Sequence, residues 1–465
     1  MDLMPHKPAP WRYPQRALLV VCGLVLGLAT CEIALRLSGA SSPRPHLRNR
    51  VYFTEPDPLL GWRNRRNVSG PYGGDEFLTR VSLNEAGRRD PPRRGTARLH
   101  PLQVAILGDS QAFGDGVEDD QTFAALLDGP GIEVRNHAVL GYGTDQELLA
   151  FECDSRTDRP EVVVVAAYLG NDLRDNTSVG GWQYPKPRFV LDESTGLRLE
   201  GSPAQRPPFV TPAIELFRAV MRHSRLLNAL AEASATSEIP PRRDRNWWIV
   251  ANRPIPAAWA KSPTPVTKEA LLVTGRLLVR LVERIEACGA RAIVVLIPEL
   301  MAVEIARDPV WQRELAASGT VWRRPQDHLQ EKLLGHARKS GSRSSSPSPI
   351  PSAEATDSSS VAQTGKLIVI DPLPALAAGK QPFYPGWKHL TAEGHRILAD
   401  AIAGHLGIAD TPHHDGSRQT DGTLRRDERG QGGLEATPNP GGQLDPARPD
   451  QATGTAMRPL EADRP

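Results

Sequence analysis

The sequence predicts an α/β fold built on a parallel sheet, with an apolar helix before it and a disordered tail behind it. Three patterns carry that prediction. Apolar runs of strand length, among them "LQVAILG", "EVVVVAAYLG", "RAIVVLI" and "KLIVID", alternate with helical stretches, and such alternation builds βαβ units. An uncharged stretch, residues 17–31, follows a basic leader. From residue 409 onward no hydrophobic period remains, and the chain is polar and rich in Gly and Pro.

The leader, residues 1–16, carries Lys7, Arg12 and Arg16 and precedes "ALLVVCGLVLGLATCEIALRL", residues 17–37. At about 1.5 Å per residue, the uncharged part alone falls short of a roughly 30 Å hydrocarbon core, and extension to Leu37 closes the gap. Glu32 and Arg36 then lie one turn apart near the exit, where they can pair. Basic residues before the span place the N-terminus in the cytoplasm and everything after about residue 38 outside it. A transmembrane signal anchor is the preferred reading. A signal peptide cut after Ser38–Ala40, a lipoprotein-type site at Cys31 and a buried core helix are the alternatives.

Residues 41–100 are polar, with many Pro, Gly and Arg, and read as a stalk or small lead-in element with short β-like pieces such as "RVSLNEAGRRD". The main domain spans 101–408. Its predicted order is the strands "LQVAILG" and "IEVRN", a helix near 144–153, the strand ending in "YLGND", then an insertion at 180–265. That insertion contains one amphipathic helix, "AIELFRAVMRHSRLLNALAEA", and Trp247, Trp248 and Trp259, read as core residues or as sugar-stacking surfaces. The helix "TKEALLVTGRLLVRLVERIEACG" stops at Gly289 and leads into "ARAIVVLIPE". A helix near 326–339 precedes a second insertion, 341–365, which lacks the apolar content to pack and reads as flexible. The strand "KLIVID" and a last helix, capped by Thr391, close the domain, and 409–465 form the tail.

With 56 basic against 54 acidic residues and a net charge of +2, the chain lacks the basic balance of a nucleic-acid protein. It has no G-x-S-x-G elbow, no Walker loop and no complete dinucleotide fingerprint, so no cofactor is implied. The four cysteines have no metal-type spacing, and the acidic loop "GDGVEDDQ" reads as solvated rather than as a metal site.

What remains is four signals in chain order: "GDS" at 108–110, "GYGT" at 141–144, "GND" at 170–172 and "HLTAEGH" at 389–395. Three directly follow apolar runs, so a parallel sheet brings them to one edge, where open α/β folds place their ligands. Acyl transfer from an ester needs a nucleophile, a base and donors for the oxyanion. Ser110 can be the nucleophile and His389 the base. The N–H groups of Ser110 and Gly141, with the side-chain amide of Asn171, can be the donors. Read singly, Ser110, Gly141 and Asn171 could each be only a turn or cap residue.

In these four blocks the chain resembles the SGNH or GDSL hydrolases, with Ser110, Gly141, Asn171 and His389 in the named positions. The stretch from "DPLLGWRNRRN" to "SLNEAGRRD" is similar to the lead-in of membrane-anchored bacterial members. The resemblance implies a flavodoxin-like three-layer α/β/α sandwich and an esterase, lipase, thioesterase, or polysaccharide deacetylase or O-acetyltransferase activity. It also implies an acid two or three residues before the last-block histidine, where this chain has Trp387 and Gly386. An indole cannot accept a hydrogen bond. The triad acid is therefore unassigned: a Ser-His dyad aided by a backbone carbonyl, a substitute such as Asp371, or an impaired site are the possibilities. If the dyad works, a carboxylate returned at Trp387 or Gly386 is expected to raise activity.

Two functions follow. The first is an extracytoplasmic serine hydrolase or acyltransferase acting on ester-linked acyl groups of an envelope or secreted carbohydrate. The second is an impaired SGNH module that binds glycan or protein in an envelope assembly. The flavodoxin-like order also sets the helices ending near Cys153 and Cys288 side by side, so an exported domain is expected to allow a disulfide between them.

Overall fold

The computed structural model of the chain describes residues 12–38, 53–73, 76–91, 101–180, 184–194, 196–204, 216, 224–227, 247–250, 253–256, 259, 263–317, 323–340, 360–364 and 366–406. The tail from 409 and nearly all of the amphipathic helix expected at 213–233 lie outside these residues.

Helix α1 (Arg12–Leu37) contains one segment, Arg16–Leu37, long and apolar enough to cross a membrane. Arg36 Nε and Glu32 Oε1 are 2.8 Å apart, the pairing that one-turn spacing predicts. Two hairpins follow, β1 (Thr54–Asp57) with β2 (Gly61–Asn64) and β3 (Val68–Gly73) with β4 (Leu78–Leu83). The main domain then runs β5 (Leu102–Gly108), α2 (Ser110–Phe113), α3 (Phe123–Leu127), β6 (Ile132–Asn136), α4 (Thr144–Asp158), β7 (Val162–Tyr168) and α5 (Asp172–Asp175). The first insertion holds the hairpins β8 (Arg188–Asp192) with β9 (Gly196–Glu200) and β10 (Trp247–Val250) with β11 (Arg253–Pro256). After it come α6 (Pro265–Ala287), β12 (Arg291–Ile297), α7 (Leu300–Arg307), α8 (Pro309–Ala317), α9 (Pro325–Ser340), β13 (Ser360–Thr364), β14 (Leu367–Asp371), α10 (Leu373–Ala378) and α11 (Ala392–Ala403).

The central sheet has the order β13-β14-β12-β7-β5-β6, parallel throughout except for β13. Without that edge strand it is the 2-1-3-4-5 order of flavodoxin-like folds. Every residue of β7 is buried, as a parallel strand covered on both faces requires. Alternation along β5 divides the core: Val104 and Ile106 pack with Phe123, Val303, Leu376 and Leu398, whereas Ala105 and Leu107 pack with Leu148, Leu277 and Leu329. Helices α3, α7, α8, α10 and α11 thus cover one face, and α4, α6 and α9 the other.

Three readings change. The lead-in segment does not stand apart: Phe53, Tyr72, Val81 and Leu83 enter the core of the main domain, and Trp62 packs with Val139, Tyr142 and Tyr184. The end of the insertion expected to be flexible supplies β13, paired antiparallel with β14 from Ser360↔Asp371 to Thr364↔Leu367. An edge strand needs backbone pairing on one side only, so low apolar content does not prevent it. Helices α4 and α6 do pack together, yet no disulfide joins Cys153 and Cys288, both of which are exposed.

Candidate active site

Strand β5 ends at Gly108, where a Cβ would lie 2.5 Å from that of Ala112 and 3.1 Å from the Ala166 carbonyl oxygen. Only glycine lets the chain turn so tightly against β7. Asp109 caps the turn, its carboxylate accepting from Gln111 N at 2.8 Å and from Asn171 Nδ2 at 3.0 Å. Burial pushes Asp109 up to about 6, against the opposing pull of those bonds and of His389. Ser110 is the first residue of α2, so its N–H has no intrahelical partner.

The loops carrying the other two residues expected as oxyanion donors are tied to this turn. Val139 N donates to the Gly108 carbonyl at 3.1 Å, which starts the loop carrying Gly141 beside the nucleophile turn. Gly141 has φ +75°, and neither its N–H nor that of Ser110 is taken up by a backbone carbonyl among the described residues. An Asn amide carries two N–H bonds; one from Asn171 goes to Asp109, leaving the second for a ligand.

His389 completes the set. Its Nε2 is 2.8 Å from Ser110 Oγ, and its Nδ1 is 2.8 Å from the backbone oxygen of Trp387. A carbonyl can only accept, so Nδ1 carries the proton and Nε2 is the basic nitrogen facing the hydroxyl. The turn that presents His389 is clamped. Gln111 Nε2 donates to the Lys388 carbonyl at 3.2 Å, Leu390 N donates to Gln111 Oε1 at 3.0 Å, and Tyr168 OH donates to the Lys388 carbonyl at 3.3 Å. Lys388 itself sits at φ +60°, a left-handed conformation that these bonds hold.

A carboxylate does reach this histidine, from a place the sequence reading passed over. Asp115, in the acidic loop read as solvated, is 4% exposed and lies with Oδ2 3.6 Å from His389 Nε2. Tyr72 OH donates to its Oδ2 and Trp387 Nε1 to its Oδ1, each at 3.1 Å. Asp371 is not that acid: its Oδ2 is 3.0 Å from Arg324 Nη1 and its Oδ1 accepts from Leu373 N, a structural cap at the end of β14. Gln111, Asp115 and Tyr72 are thus the site residues that sequence alone missed. The one available signal was the Asp at the end of "AFGD", five residues after the serine.

The lead-in segment builds this wall. Arg89, 1% exposed, donates to the carbonyls of Phe113, Gly114 and Val117 and pairs with Asp119, fixing the loop that carries Asp115. Trp62 Nε1 donates to the Leu140 carbonyl and Asn64 Nδ2 to that of Ala138, holding the Gly141 loop. Glu76 accepts from Trp387 N, and Phe77 stacks edge-on against the Trp387 ring with centroids 5.5 Å apart.

Beneath the site lies a buried acidic group. Thr144 Oγ1 is 3.4 Å from Asp172 Oδ2, Asp145 pairs with Lys186, and Glu147 has no hydrogen-bond partner for either oxygen. Burial, then the carboxylates of Asp109 and Asp145, pushes Glu147 well above the usual range. His395, by contrast, packs in the core: its Nδ1 accepts from Phe123 N, and burial pulls it down to about 3. Trp259 is also a core residue, donating to Glu299 at 3.0 Å, and burial raises Glu299 to about 7.

The strand order, with helices on both faces of a parallel sheet, is that of a three-layer α/β/α sandwich, the fold that the resemblance to SGNH/GDSL hydrolases implied. Comparison with known protein families finds no match, and no curated protein matches the chain. Solved structures similar to it include an acetylxylan esterase, Axe2, from Geobacillus stearothermophilus, a GDSL-like lipase from Bacteroides thetaiotaomicron and the esterase EstA from Pseudoalteromonas sp.. For Axe2 the identity is 11% and the TM-score 0.30, over 67% of this chain and 96% of that one. The lipase gives 12% and 0.29 over 66% and 87%, and EstA 9% and 0.30 over 66% and 100%.

Proposed function

We propose that this chain is a membrane-anchored SGNH-type serine hydrolase or acyltransferase whose domain faces away from the cytoplasm. Its substrates are ester-linked acyl groups, acetyl among them, of an envelope or secreted carbohydrate. One observation carries the reading: Ser110 Oγ is hydrogen-bonded to the basic nitrogen of an imidazole whose other nitrogen is already fixed. Nε2 takes the hydroxyl proton as Oγ bonds to the acyl carbon, and the carbonyl electrons move onto oxygen, facing the N–H groups of Ser110, Gly141 and Asn171. Collapse breaks the ester bond, and the leaving alcohol takes the proton from Nε2. Water, or a second hydroxyl in the acyltransferase case, repeats the sequence and releases Ser110. The basic leader and the apolar helix α1 support the anchor and its orientation, and the location supports the choice of an envelope substrate.

A chromogenic acetate ester offered to the purified chain in detergent tests this. Turnover is expected, and Ser110→Ala should lower it by roughly 10⁴-fold or more. An inert wild-type chain would support the binding-module reading instead. Supplying an acetyl donor with oligosaccharides, and looking for acetylated product, separates transfer from hydrolysis.

A further inference from the structure

The geometry points to Asp115 as the acid of this site, a positioning residue that faces His389 from the Nε2 side and steadies the imidazolium formed as Ser110 attacks. The inference rests on the hydrolase reading above. Its grounds are spatial. Asp115 Oδ2 lies 3.6 Å from the nitrogen that gains the proton; resting Nε2 carries no proton for a carboxylate to accept, so it stays paired with Ser110, and the carboxylate is close enough to act on the full charge that forms there. Both carboxylate oxygens are held, by Tyr72 and by Trp387, so the group cannot swing onto the imidazole or away from it.

Trp387 gains a meaning that its side-chain chemistry alone does not suggest. It stands where the resemblance leads one to expect the acid, and it divides that acid's two tasks. Its backbone carbonyl fixes the tautomer at Nδ1, and its indole N–H positions Asp115, which supplies the charge. The Ser110 proton goes to Nε2 and from there to the leaving alcohol, and none is transferred to Asp115. Among the other charged groups on this side of the site, Arg89 interacts with Asp115, Asp109 with His389, and Glu76 accepts from Trp387 N.

Because the tautomer is set independently, loss of Asp115 should cost less than the roughly 10⁴-fold loss known when a triad Asp that does both tasks is changed to Asn. The test is steady-state kinetics of the full chain in detergent with p-nitrophenyl acetate, alongside the labelling rate of Ser110 by a fluorophosphonate. Asp115→Asn and Asp115→Ala are expected to lower kcat about 10- to 100-fold with KM nearly unchanged. Added formate should restore part of the Asp115→Ala rate and none of the Ser110→Ala rate. Tyr72→Phe, which removes one hydroxyl and leaves the carboxylate in place, keeps the test informative if the buried Asp115 variants fold poorly; a loss of roughly 3- to 10-fold in kcat is expected. Wild-type kcat in folded Asp115→Asn, or a folded Tyr72→Phe with unchanged kcat where the Asp115 variants do not fold, would overturn the assignment while leaving the hydrolase intact. A wild-type chain that neither turns over the ester nor reacts with the phosphonate would overturn the hydrolase reading and this one with it.

Discussion

The central sheet and the lead-in segment contribute to the same site by opposite means. The sheet places Ser110 and Asn171 through its own strands, since β5 and β7 are buried runs whose ends lie side by side and the blocks follow them directly. Among the described residues, 53–91 contribute no strand to that sheet. They act through side chains that reach backbone carbonyls far away in sequence, Trp62 to Leu140, Asn64 to Ala138, and Arg89 to Phe113, Gly114 and Val117. The difference teaches that the strands set where Ser110 and Asn171 start, while the lead-in sets how firmly the surrounding loops are held. A 1 Å misplacement in such loops can cost about 10²-fold in rate, so the second contribution matters as much as the first.

Breaking the lead-in side should have the largest effect on stability. Arg89→Ala removes a buried guanidinium that ties three carbonyls and Asp119 together, and about 3–5 kcal/mol of unfolding free energy should be lost in a chemical denaturation curve. Breaking the sheet side at Gln111 comes next. Gln111→Ala deletes two of the three bonds that grip the His389 turn, one to the Lys388 carbonyl and one from Leu390 N, and leaves that from Tyr168. A stability loss of about 2–3 kcal/mol is expected, with a roughly 10²-fold fall in kcat, read from ester kinetics on the folded fraction.

Two substitutions sharpen the comparison where the two regions meet. Trp387→Asp and Gly386→Asp, which the sequence alone suggests as repairs, should lower activity. The first sets a second carboxylate beside Asp115 and removes its indole donor, while a Cβ at Gly386 would lie 3.0 Å from Glu76 Oε2. Trp387→Asp is expected to cut kcat about 10-fold, and a rise in kcat would contradict the arrangement described here.

The smallest effect on turnover is expected from Glu147→Gln, beneath the site. Burial raises the Glu147 pKa in the folded chain, so the folded state keeps a proton that the unfolded chain releases above the ordinary glutamate range. The stability this group contributes is complete below the unfolded pKa and is lost as pH rises through the folded one. Gln cannot titrate. Denaturation curves from pH 4 upward should therefore fall less steeply in the variant than in the wild type, with kcat changed less than about 3-fold.

Much of this molecule was legible in its order of residues. Runs such as "EVVVVAAYLG" can be satisfied only as strands buried on both faces, and their ends carry Ser110 and Asn171. The backbone carbonyl that binds His389 Nδ1 was among the foreseen possibilities, because an indole excluded a carboxylate at Trp387. Strand β13 was not legible, since an edge strand in a Ser-rich stretch is decided by the neighbour it pairs with.

Sequence by itself determined the strands, the helices between them, the apolar N-terminal helix and the pairing of Ser110 with His389. These depend on local periodicity and on residue types that no neighbour can change. Tertiary structure alone decided which acid faces the histidine and what the polar lead-in is for. Asp115 is 274 residues from His389 in sequence and 3.6 Å from it in space, and a carboxylate in a loop has no periodicity to announce where it will come to rest. Its environment was made by Tyr72, Arg89 and Trp387 together, and only folding brings those three to one place.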